Sequence, residues 1–166
     1  MIDVRVDDIA FFEGDAIVRP VNSMLQATTP VMRRLEQAAG PKFPGIVRMQ
    51  HPLPVGAAVV TGAGDLPVEL LVHGVVSSPE ERVTRATVRL ALMSAMQRAV
   101  AFEIKTIAIA PFGLGAGNLD IDDSADVMVS VLSEHMRRAA FPTTVTIVVE
   151  SELEEHALRT RMRSQE

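Results

Sequence analysis

Short apolar runs alternate with longer segments of helical period along the chain. Residues 2–6, IDVRV, alternate apolar and polar with period two, which predicts a strand exposed on one face. DAIVRPV, residues 15–21, carries a second and more buried strand. From Pro30, PVMRRLEQAAG predicts a helix, with Pro at its first position, Val31 and Leu35 four apart, and Gly40 as a stop. Residues 41–56 hold four prolines and two glycines, so irregular chain with at most a short helix is expected there.

AAVVTGAG (57–64) and ELLVHGVV (69–76) read as two strands. Too few residues separate them for a crossover helix, so they should pair antiparallel and make the sheet mixed. A long helix is expected over 81–102, with Arg82, Arg85 and Arg89 on one face and Val88, Leu92, Ala95 and Ala99 on another. TIAIAPF is a buried strand. The next helix runs from Asp120 and Asp122 to Arg137 and Arg138, a charge order that suits the helix dipole. TTVTIVVE is the last strand, and a terminal helix follows with Ser151 and Glu154 spaced as a capping box. Elements in this order predict a three-layer α/β/α sandwich around a mixed, mostly parallel sheet, in one domain over residues 1–166.

Composition narrows the function classes. The chain is 48% hydrophobic and 22% charged, a folded globule rather than a disordered segment. Its net charge is −5 with scattered Lys and Arg, so bulk nucleic-acid binding is not expected. Cysteine is absent, which excludes disulfides, thiolate metal sites and cysteine nucleophiles. The N-terminus has no secretory pattern and no apolar run is long enough to span a membrane, so a cytoplasmic protein without membrane partners is expected. Trp and Tyr are missing, which leaves six Phe for stacking on any ligand ring.

Candidate chemistry concentrates in IAPFGLGAGNLDIDDSAD, residues 109–126. Gly113, Gly115 and Gly117 lie between a buried strand and a helix start, where a loop can turn backbone N–H groups towards a phosphate. The alternative is a tight turn with no ligand. The spacing fits neither the dinucleotide fingerprint nor a P-loop, and no Gly-x-Ser-x-Gly elbow occurs. The four histidines show no metal-ligand spacing, and His73, inside an apolar strand, reads as a satisfied core histidine. No cofactor is indicated.

Taken together, VRVDDIAFFEGDAIVRPVNSML, AAGPKF, VGAAVVTGAGDLP, LLVHGVV and IAPFGLGAGNLD resemble, in order and spacing, the macro domain, an ADP-ribose-binding α/β/α module. The resemblance spans about residues 2–150. It implies that Asp8, with Ile9 beside it, accepts a hydrogen bond from an adenine amino group, a role an ionised Asp can fill. It implies that Asn22 contacts the distal ribose, and that the backbone of Gly113, Leu114, Gly115, Ala116, Gly117 and Asn118 wraps the diphosphate. Thr28, Thr29 and Val31 occupy the other phosphate loop.

Several positions depart from the family's pattern. Arg19 replaces the first asparagine of a pair; it either reaches a phosphate or carboxylate with its forked guanidinium, points to solvent or pairs with a nearby Asp. Thr28-Thr29-Pro30 replaces glycines, which crowds the phosphate path and removes an N–H donor. Met32 stands where hydrolase members often place an aspartate. The threonine usual in the second loop falls at Gly115 or its neighbour, and no aromatic follows the last strand. Losing a charge-assisted hydrogen bond costs about 1.5–3 kcal/mol. The expected function is therefore binding of ADP-ribose or a related nucleotide with weakened or altered affinity. The alternatives are an ADP-ribosyl or O-acetyl-ADP-ribose hydrolase in which Asn22 positions a water, and a degenerate module that binds no nucleotide.

Overall fold

A computed structural model describes all 166 residues. The strands are β1 (Ile2–Val6), β2 (Gly14–Asn22), β3 (Ala58–Gly62), β4 (Val68–Ser77), β5 (Thr106–Ile109) and β6 (Thr144–Val149). They form one sheet in the order β1-β6-β5-β2-β4-β3, parallel throughout except for β3, which runs antiparallel to β4. The β3–β4 hairpin is the one the short connection demands. Its Gly64 adopts φ +59°, and a Cβ there would meet the Ala39 carbonyl oxygen at 2.3 Å.

Helices α3 (Arg85–Ala101), α4 (Ile121–Arg138) and α5 (Glu152–Ser164) build a 28-residue core with one sheet face. Helix α1 (Pro30–Ala38), short α2 (Phe43–Ile46) and a single 3-10 turn (Ile9–Phe11) cover the other over a 14-residue core. The central strand β2 is therefore apolar on both sides, and Ala16, Ile17 and Val18 are fully buried. On α3, Val88, Leu92, Ala95 and Ala99 face the core as their spacing requires.

Local chemistry fixes where the helices start. Thr29 caps α1 by accepting from the Met32 N–H, and Pro30 fills the first position. Helix α3 begins at Arg85, not near Glu81, because Thr84 and Thr87 exchange side-chain and backbone hydrogen bonds at its first turn, leaving Arg82 outside. Ser151 caps α5, but Glu154 reaches back to the Glu150 N–H at 2.8 Å rather than to Ser151, so the expected box is displaced by one residue.

Candidate functional site

Parallel strands β2, β5 and β6 end at the same edge of the sheet. The chain leaves β2 for α1 on one face and leaves β5 for α4 on the other, so a crevice opens between the two connections. In open α/β sheets this switch point is where ligands sit. Here it forms a cleft of about 210 Å³, lined by Thr29 to Met32, Ala110, Pro111, Leu114, Gly115, Val148, Glu150 and Glu154. That is below the roughly 300–1,000 Å³ of ordinary small-molecule sites.

One wall is the glycine-rich loop. Gly113, Gly115 and Gly117 have φ of +91°, +134° and +76°, a conformation that favours glycine. The turn closes through Asn118 N–H to the Gly115 carbonyl and Leu119 N–H to the Gly113 carbonyl, both 3.0 Å. The N–H groups of residues 113–117 donate to no acceptor in the protein. Gly113 also has no room for a side chain, since a Cβ would lie 2.8 Å from Val88 Cγ2 and 2.9 Å from Leu119 Cδ1. Ser124 pins the base of the loop by donating to the Phe112 carbonyl at 2.6 Å.

The opposite wall is the start of α1. Its Val31 N–H is unpaired, the Met32 N–H is taken by Thr29, and Pro30 has no N–H. The walls approach closely: a Cβ on Gly115 would stand 3.5 Å from the Thr28 carbonyl oxygen. At the far end lie two carboxylates, with Glu150 paired to Arg34 and its N–H held by Glu154. No basic side chain lines the cleft, so the only groups that could attract an anion there are backbone N–H groups and the α1 dipole.

Arg19 neither points to solvent nor lines this cleft. It is fully buried beneath α1, with Nη1 on Glu36 Oε2, Nη2 on the Leu25 carbonyl and Nε on His73 Nδ1, each at 3.0 Å. Its guanidinium carbon lies 5.4 Å from the Phe43 ring centroid. Burial lowers its pKa and the Glu36 charge opposes that shift. The bonded carbonyl belongs to Leu25, a non-glycine residue at φ +59°, so the guanidinium fixes a costly turn in the β2–α1 connection. His73 is indeed a satisfied core histidine. Desolvation first, then Arg19, push it down to about 3. It stays neutral, accepts from Arg19 at Nδ1, and so donates from Nε2 to Thr61 Oγ1 at 2.8 Å.

Of the residues expected from the sequence, the cleft brings together Thr29, Val31, Leu114 and Gly115. Gly113, Ala116, Gly117 and Asn118 shape the same loop, and Thr28 faces it through its carbonyl. Asn22 lies off the cleft: its Oδ1 accepts from the Met24 and Gln26 N–H groups at 2.9 and 3.0 Å, and its Nδ2 donates to Gln26 Oε1. Asp8 caps the 3-10 turn through Ala10 N–H and borders an adjoining hollow that shares Val148 with the cleft. Ile9 and Met32 are buried in the second core. Glu150 and Glu154 also line the cleft without being expected from the sequence; their position directly after the last parallel strand is the one signal that points to them.

The Macro domain family profile matches residues 18–128. A protein of Enterobacter sp. named O-acetyl-ADP-ribose deacetylase is 30% identical over 153 residues, covering 89% of this chain and 85% of that protein. An uncharacterised Mycobacterium tuberculosis protein is 26% identical over 134 residues; 81% of this chain is covered but only 37% of that longer relative. Among solved structures, an Oceanobacillus iheyensis macrodomain with ADP superposes with a TM-score of 0.83 at 17% identity, covering 98% and 90% of the two chains. A Trypanosoma brucei macrodomain in complex with ADP-ribose gives 0.84 at 15% identity, covering 96% and 68%.

Proposed function

The chain belongs to the macro domain family, and from that premise we propose that its cleft binds ADP-ribose or a related nucleotide with weakened affinity. One observation carries the reading: the N–H groups of residues 113–117 are unpaired, and Leu114 and Gly115 of that loop line the switch-point cleft together with the start of α1. Such a nest suits a diphosphate, which needs donors from several directions at once. The ADP and ADP-ribose complexes of macrodomains sharing this fold support the same ligand class. In this reading Gly113 to Asn118 hold the diphosphate, Val31 adds a donor, and Asp8 serves the base from the adjoining hollow.

Three features weaken the site. Thr28 and Gly115 lie close across the diphosphate path, so binding must first part the loops. Glu150 and Glu154 oppose an anion, no cation lines the cleft, and only Glu150 is offset, by Arg34. Asn22 must break local hydrogen bonds to reach a ribose. Dissociation constants in the high micromolar to millimolar range, roughly −4 to −5.5 kcal/mol, are therefore expected. Calorimetry with ADP-ribose, ADP and AMP tests this; absence of both heat and thermal shift at millimolar ligand rejects it.

A second reading, hydrolysis, is favoured by the name of the Enterobacter relative and by the two carboxylates, the only ionisable groups lining the cleft. Met32 supplies no base, and Glu150 is engaged by Arg34. Acetate release from O-acetyl-ADP-ribose that disappears in Glu150→Gln would establish this reading, and no release at high enzyme would remove it.

A further inference from the structure

The loops that follow β2 and β4 carry two further depressions, which the nucleotide reading does not use. One, of about 860 Å³, lies between α1 and residues 43–49; the other, of about 650 Å³, lies between residues 52–55 and 78–81. Met24 lines both, so they meet as one groove. Val47, Met49, Leu53 and Val55 pack half-buried on the small third core of Val21, Leu25 and Val75, giving the groove an apolar middle. Met24 and Met49 are unbranched and polarisable, and adapt to varied apolar partners. The bed itself is held in place, with Leu53 N–H on the Ser23 carbonyl and Gly56 N–H on the Val75 carbonyl, both 2.8 Å.

The two ends carry opposite charge. Arg33 and Arg48 line one end and form no ion pair, although Arg34 on the same helix does. Glu80 and Glu81 line the other, exposed and free of any cation. Glu36 also lines that end but is held by Arg19, so the unpaired Arg33 and Arg48 present forks that match acidic side chains, and a distant acidic pair adds direction.

We propose that this groove docks an extended polypeptide segment with an apolar centre, its acidic end over Arg33 and Arg48 and its basic end over Glu80 and Glu81. A second copy of the chain would set one concavity against another and leave both unfilled, whereas an extended strand is convex and fits. The proposal does not depend on the nucleotide cleft, so failure of ADP-ribose to bind leaves it standing.

Fluorescence anisotropy of the full chain with a labelled peptide of about ten residues, ~33 Å when extended, tests it; the peptide carries an Asp/Glu block, a Leu/Val block and a Lys/Arg block. Saturable binding is expected, weakened about tenfold by Arg33→Glu with Arg48→Glu. The same double variant should gain preference for a peptide whose acidic block is replaced by a basic one. Both substitutions are on exposed side chains, and an unchanged melting temperature confirms that the variant folds. Three outcomes would overturn the proposal: no saturable binding at millimolar peptide, equal binding of both peptides by both proteins, or dimerisation of the chain through these same residues.

Discussion

A guanidinium sealed under a helix must be neutralised where it lies, and Arg19 meets that demand with Glu36, His73 and the Leu25 carbonyl. Replacing it with Met keeps the bulk but orphans a buried carbonyl and an imidazole nitrogen, so Arg19→Met should cost about 2–5 kcal/mol in urea denaturation. His73 gives a pH signature. Its folded pKa of about 3 lies below the ordinary histidine value of 6.5, so between these limits the unfolded chain binds a proton that the folded chain refuses. Stability should fall as pH drops through that window, by up to about 1.4 kcal/mol per pH unit, and this contribution should be flat above it. His73→Gln, whose amide can both donate and accept, should flatten denaturation midpoints between pH 6.5 and 4. Asp15, lowered chiefly by the Thr106 N–H, adds stability that is lost only below about pH 4. The apolar surroundings of His73 made its burial legible in the sequence. The role of Arg19 was not, because its partners come from 17 and 54 residues away along the chain.

The start of α1 and the glycine loop set the width of the cleft. Thr29 and Pro30 were readable as an N-cap and first position, because those roles depend on neighbours in sequence. The α3 start was not readable in the same way: Thr84 and Thr87 make a cap without the usual Glu or Gln, so the apolar period alone placed the helix too early. If the closed first loop limits affinity, Thr29→Gly with Pro30→Gly should tighten ADP-ribose binding about tenfold in calorimetry. The double change should cost about 1–2 kcal/mol in stability. Unchanged affinity would mean that the carboxylate end sets the limit. The glycines should separate in the same assay of stability. Gly113→Ala meets Val88 and Leu119 and should be severe, whereas Gly117→Ala meets nothing within 4 Å and should show only the roughly 1–2 kcal/mol penalty of its positive φ.

At the scale of the molecule, alternating strands and helices made the α/β/α class, the mixed sheet and the β3–β4 hairpin legible. The strand order was not, since β2 pairs with β4 and β5 through contacts that no local pattern encodes. The same is true of the groove, which gathers residue 33 from α1 and residues 24, 48 and 80 from three separate connections. The central claim is that a backbone nest at the sheet's switch point receives a nucleotide diphosphate. An amide-resolved NMR titration of ¹⁵N-labelled protein with ADP-ribose reads that nest directly. Saturable shifts are expected at the amides of Val31 and residues 113–117, reaching a plateau in the millimolar range. Unmoved amides in that loop, or saturable shifts confined to residues elsewhere, would contradict it.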